Sequence, residues 1–172
     1  MLSEKMVKAL NRQINKEMYS AYLYLAMSAH SESVGLKGFA NWFYVQYQEE
    51  TEHAMRIYHY IHSHGGKVEL LSIEKPPSKF ESPMEMFEKT LEHEKFITKS
   101  INELVDLAIE EKDHATQIFL QWFVTEQIEE EANDNEIIDK LNLAGKEGNG
   151  LFMIDKELGA RVFTPHPIAE ED

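Results

Sequence analysis

The stretch from Gln46 to His53, QYQEETEH, constrains this chain more than any other. It lies in a segment where Phe39, Phe43, Gln46, Glu50, His53, Ile57 and Tyr60 follow one another at steps of four and three, the seam of a helix packed in a bundle. Glu50 and His53 therefore fall where core residues belong. At i and i+3 they project from one helix face and can close on a single cation. Without such a partner, a carboxylate buried in a core costs several kcal/mol. A chain carrying this feature must bring compensating groups to the same height.

The remaining seams supply matching groups. A first helix is expected from an N-cap at about Ser3 to about Ser33, with Gly35 as its stop, and its seam reads Leu10, Ile14, Glu17, Ala21, Tyr24 and Ser28. The second spans about Leu36 to His64 and ends at Gly65-Gly66. Residues 67–81, with Pro76-Pro77 and no helical period, read as a long crossover. Ser82, Pro83 and Glu85 then form a cap, a first-turn proline and a capping-box acid for a third helix to about Glu111, with a seam of Phe87, Leu91, Glu94, Thr98, Ile101 and Val105. Asp113 can cap a fourth helix to about Leu143, whose seam is Leu120, Phe123, Gln127, Glu130, Asp134, Ile137 and Leu141. A fifth, shorter helix is expected over about 148–158, with Leu151, Phe152, Ile154 and Leu158 apolar, and a mobile tail over 161–172.

This pattern predicts an all-α, single-domain four-helix bundle over about 3–143, up-down-down-up with its long connection between helices two and three, followed by the short C-terminal helix. At 1.5 Å per residue, Glu17, Glu50, Glu94 and Glu130 lie roughly 20, 21, 17 and 24 Å along their helices, in one middle layer. No Lys or Arg occupies the seams to neutralise them. Four carboxylates and a neutral imidazole carry the charge that two divalent cations cancel. Hard oxygen donors with one histidine suit Fe²⁺ or Mn²⁺, and Zn²⁺ less specifically. Two Fe³⁺ bridged by an oxide carry the same total charge, which favours iron and oxygen chemistry.

Composition narrows the classes further. The 172 residues carry a formal charge of −14, which suits cations and argues against nucleic-acid or anionic-membrane partners, both of which need Lys and Arg on phosphate. There is no cysteine, so any metal must be held by oxygen and imidazole. No apolar run has transmembrane length, and MLSEKMVKAL has no signal-peptide hydrophobic core, so a cytoplasmic protein is expected.

The segments INKEMYSAYLYL, QEETEH, LEHE, LQWFVTEQIEEE and IDKEL, which span nearly the whole chain, resemble the non-haem ferritins of the bacterial and archaeal type. The resemblance implies a ferroxidase that oxidises Fe²⁺ with O₂ or H₂O₂ and stores Fe³⁺ as an oxyhydroxide mineral inside a cage of twenty-four like subunits. It implies that Glu17, Glu50 and His53 hold one iron and that Glu50, Glu94 and Glu130 hold a second, with Glu50 bridging. Gln127 and Tyr24 then support the pair. A third iron maps to Glu49, Glu126 and Glu129, with Glu130 shared; an exposed acidic patch is the alternative for those three. Departures from neighbouring families matter as well. Thr51 stands where bacterioferritins place a haem-binding methionine, so no haem is expected. A rubrerythrin's cysteine-ligated iron is excluded by composition.

The competing functions are a di-iron peroxidase or oxygenase on the same bundle and a metal-free structural bundle. His59, His62 and His64 read either as a secondary metal site or as residues favoured at a helix C-terminus. His93 is expected to face the surface. Asp113 and His114 read as a channel lining or, for Asp113, as a helix cap.

Overall fold

The computed structural model describes residues 2–145 and 148–165. Five helices make up the fold: α1 Glu4–Ser33, α2 Lys37–Ser63, α3 Pro83–Glu110, α4 His114–Ala144 and α5 Gly148–Leu158. Most begin and end where local chemistry dictates. The Ser3 hydroxyl accepts the Met6 amide at 3.0 Å, Ser82 accepts that of Glu85 at 3.1 Å ahead of Pro83, and the Asp113 carboxylate accepts that of Thr116 at 3.0 Å. Gly35, at φ 84°, takes the left-handed turn that stops α1. Glu85 accepts from the Glu81 amide rather than that of Ser82, so its bond reaches one residue beyond a capping box.

Helix α2 has no side-chain cap of its own at Leu36. Its first turn is capped instead from α5: the Asp155 carboxylate accepts the amides of Gly38 at 2.8 Å and Phe39 at 3.1 Å. The α5 backbone comes so close that a Cβ on Gly38 would meet the Asp155 carbonyl oxygen at 1.5 Å. Only glycine fits there.

Helix α1 packs along α2 and α3, and α3 along α4, while α5 docks on α2 and α4. The crossover after α2 is not helical. Two asparagines of α1 fasten it: Asn11 donates to Lys67 O at 2.9 Å and accepts from the Glu69 amide at 2.8 Å, and Asn15 donates to Ser72 O at 3.0 Å. The resulting order of strokes is up-down-down-up.

The apolar core forms two blocks. One holds Leu10, Ile14, Ile57, Ile61, Ile101 and Phe123, and the other Tyr24, Met27, Phe43, Phe87, Ile137 and Leu141. Each long helix passes from one block to the other through a carboxylate, and those carboxylates form the layer between. Ile154 and Leu158 of α5 belong to the second block, whereas Phe152 and Met153 face outward. The apolar residues of α5 thus serve two directions. Arg161, expected at the start of a loose tail, is held by Asn41, whose Nδ2 donates to its carbonyl at 2.9 Å; the rest of the tail from 166 lies outside the described residues.

Candidate metal centre

Glu17, Glu50, His53, Glu94 and Glu130, from four different helices, are all buried, none more than 3% exposed. Glu17, Glu50 and His53 each offer a ligand atom within 4.8 Å of the others. A second such group joins His53 and Glu130 to the half-buried Glu126. The sequence placed Glu94 with Glu50 and Glu130. Here both oxygens of Glu94 are engaged: Oε1 accepts from the Tyr24 hydroxyl and Oε2 from Gln127 Nε2 at 3.0 Å.

Amide donors orient the other carboxylates. Gln13 Nε2 donates to Glu17 Oε1 at 2.8 Å, and Gln46 Nε2 donates to Glu130 Oε2 at 3.0 Å. Gln13 stands one helical turn before Glu17, a spacing visible in the sequence. The Gln46 contact crosses between helices and had no such signal. What remains is a set of orphaned acceptors: Glu17 Oε2, Glu50 Oε1 and His53 Nε2 are buried with no hydrogen-bond partner. Buried polar atoms are normally satisfied. An acceptor-only set of this kind is satisfied by a cation.

Electrostatics point the same way. Burial, and then the negative charges of Glu94, Glu17 and Glu130, push the Glu50 carboxyl well above the usual carboxylate range. Burial also raises Glu17 and Glu94, and lifts Glu130 to about 8, with Glu94 adding to the effect. Glu17 and Glu50 act on each other directly, so each carboxyl's charge state depends on its neighbour's. Without bound cations, protons hold this layer together.

A fifth buried carboxylate completes the picture. Asp134, one turn beyond Glu130 on the same seam, is 1% exposed, both its oxygens lack partners, and burial together with Glu94 and Glu130 pushes it to about 9. The sequence puts Asp134 on the α4 seam, and the structure adds it to the acidic layer of the four glutamates. A shorter acid at the expected register carries the same signal as a glutamate.

The remaining candidates are less converged. Glu49 is paired with Arg161, and Glu129 is exposed. Among the described residues, neither belongs to a group with metal-binding geometry. His93 is not a surface residue: it is half-buried, bonded to Ser20 Oγ at 2.7 Å and edge-on to Tyr24, and burial lowers it to about 4. His64 Nδ1 lies 3.0 Å from Tyr60 O at the end of α2, and Asp113 acts as the cap of α4.

Four long helices with one long crossover, enclosing a central layer of carboxylates and one histidine, define the ferritin-like class of carboxylate bundles. Residues 7–144 match the family described as Ferritin, ferritin-like domain. A bacterial non-heme ferritin of Campylobacter jejuni is 47% identical over 156 residues, covering 91% of this chain and 93% of its own. One from Bacteroides fragilis is 46% identical over 161 residues, covering 94% and 100%. Among solved structures, an open-pore ferritin from the hyperthermophilic archaeon Archaeoglobus fulgidus superposes with a TM-score of 0.93 at 53% identity, covering 94% of this chain and all of that one. A closed form of that archaeal ferritin, engineered by site-directed mutagenesis, gives 0.94 at 54%, covering 95% and 100%. The chain belongs to the ferritin family.

Proposed function

We propose that this protein is an iron-storage ferritin with ferroxidase activity, working in the cytoplasm as a cage of like subunits, twenty-four by analogy with the family. The observation that carries the reading is the buried acidic layer, in which Glu17, Glu50 and His53 each bring a ligand atom within 4.8 Å of the others and each keep a buried atom without a hydrogen-bond partner. One Fe²⁺ is held by Glu17, Glu50 and His53. A second is held by Glu50, Glu94 and Glu130, with Glu50 between them. Gln13, Gln46 and Gln127 fix one oxygen of Glu17, Glu130 and Glu94 respectively, and Tyr24 holds the other oxygen of Glu94.

Fe²⁺ entry displaces the protons that the raised carboxyls retain, so the layer exchanges protons for cations without gaining net charge. Two Fe²⁺ give one electron each to O₂, which takes up two protons and leaves as hydrogen peroxide; with H₂O₂ as oxidant, the same two electrons yield water. Hydrolysis of Fe³⁺ to oxyhydroxide then releases protons, and the carboxylates are free to accept new iron. Glu49, Glu126, Glu129 and the shared Glu130 form an outer station for a third iron. No haem takes part, since the Thr51 hydroxyl is turned back onto Tyr47 O at 2.8 Å and offers no thioether. No helix among the described residues is long and apolar enough to cross a membrane.

Aerobic loading of the purified protein with Fe²⁺, followed by counting of bound iron per subunit, tests this directly. Storage requires far more iron than the ligand groups themselves can hold. Saturation at two or three ions would indicate a di-iron peroxidase or oxygenase, and no uptake would indicate a structural bundle.

A further inference from the structure

Glu49 is not a free carboxylate. Arg161 Nη2 donates to its Oε2 at 2.6 Å, and the guanidinium lies over the Trp42 ring with Cζ 4.6 Å from the centroid. The route of the chain explains the contact. Asp155 fastens α5 to the start of α2, Asn41 holds the segment after α5 through the carbonyls of Leu158 and Arg161, and the side chain of Arg161 is thereby laid along α2 onto the flank of the acidic layer. The two partners are only 23% and 16% exposed, so this pair lies deeper than a surface ion pair. It is also incomplete: Nη1 of Arg161 is buried without a partner. A positive charge of the protein's own therefore stands beside Glu49, and its field also reaches Glu130 and Asp134.

We propose that Arg161 is a positioning residue for the outer iron station, a built-in cation that occupies Glu49 while the station is empty and must release it before iron can be held there with Glu126 and Glu130. This rests on the reading of Glu49 as an outer iron ligand. The inner group of Glu17, Glu50 and His53 has unpartnered atoms and no such competitor, so it fills first. Arg161 sets the order. A berth for the displaced side chain exists: a cleft of about 270 Å³ beside Trp42 is lined by Arg161 itself and by Glu136, Lys140 and Glu157. Lys140 shares its charge between Glu136 and Glu157, at 2.6 Å from each, so two carboxylates there have only one cation between them. The guanidinium can exchange Glu49 for these by side-chain rotation, with its backbone still held by Asn41.

The test is calorimetric titration of the assembled, iron-free protein with Zn²⁺, which binds oxygen and imidazole ligands without redox chemistry. In R161Q the third Zn²⁺ per subunit should bind about tenfold more tightly than in the wild type, the equivalent of one modest ion pair removed from competition. The first, held by Glu17, Glu50 and His53, should be unchanged, and the second, which shares Glu130, should change less than the third. R161K, which keeps the charge, should stay near the wild type, and adding E49Q to R161Q should abolish the gain. A third site present in the wild type but unchanged or weakened in R161Q overturns the role of Arg161 while leaving the outer station intact. Only two Zn²⁺ per subunit in every variant removes the outer station, and this proposal with it.

Discussion

His53 is held between Trp122 and Phe123, with ring centroids 5.3 and 6.1 Å away, and its Nε2 has no partner. The aromatic walls fix the ring in the layer, so its replacement removes a ligand and one contact between α2 and α4, while the apolar blocks on either side still join the helices. His53→Ala should abolish rapid Fe²⁺ oxidation in stopped-flow absorbance while leaving a helical, assembled protein; wild-type rates would sink the assignment. Asp134 leads to a prediction about pH. Its folded value of about 9 lies above the ordinary 3.8, so its contribution to stability is full below that ordinary value and is lost as pH rises toward 9. Asp134→Asn removes the titration. The iron-free variant should match the wild type near the acid end and exceed it at neutral pH by up to roughly 4 kcal/mol, about three pH units at 1.36 kcal/mol each. Denaturant unfolding across that range checks it, and parallel curves for the two proteins would show that Asp134 does not carry the effect. The four glutamates were legible because a carboxylate at an apolar period contradicts its surroundings. Their donors Gln46 and Tyr24 were seam residues whose partners lie on other helices, and sequence spacing cannot pair residues across helices.

At the scale of elements, boundaries were legible wherever the cap is local. Ser3, Ser82 with Pro83, Asp113 and Gly35 each act on neighbours within a few positions, and the helices begin or end beside them. The start of α2 is different. Its cap, Asp155, comes from far along the chain, and the reason for Gly38 is the backbone of α5 rather than any turn. Asp155 therefore serves two elements, satisfying the first amides of α2 and fixing the seat of α5. Asp155→Ala should cost about 1 kcal/mol, the usual cost of a lost N-cap, and loosen the docked helix. Hydrogen exchange at the Gly38 and Phe39 amides should speed up relative to the middle of α2. Unchanged protection there would mean that another group caps the helix.

For the whole molecule, the outward residues matter as much as the core. Phe152 and Met153 are 69% and 72% exposed, and Leu70, Leu71, Ile118, Ile128 and Leu143 are exposed as well. Large apolar side chains in such number on one subunit indicate surfaces that other copies cover. Because α5 turns Ile154 and Leu158 inward, removing the whole helix would also uncover the subunit's own core and take away Asp155 and Arg161. A loss of assembly after that deletion could not be assigned to contacts between copies. Phe152→Glu with Met153→Glu separates the two effects, since neither side chain belongs to the buried core of its own subunit. Two carboxylates per subunit added to an already acidic chain make burial between copies unfavourable while leaving the inward face of α5 untouched. The double variant should keep its helical circular dichroism but give small oligomers in light scattering where the parent gives a large assembly. Large assemblies of undiminished stability would show that this end of α5 faces solvent or the interior of the cage rather than a neighbouring subunit.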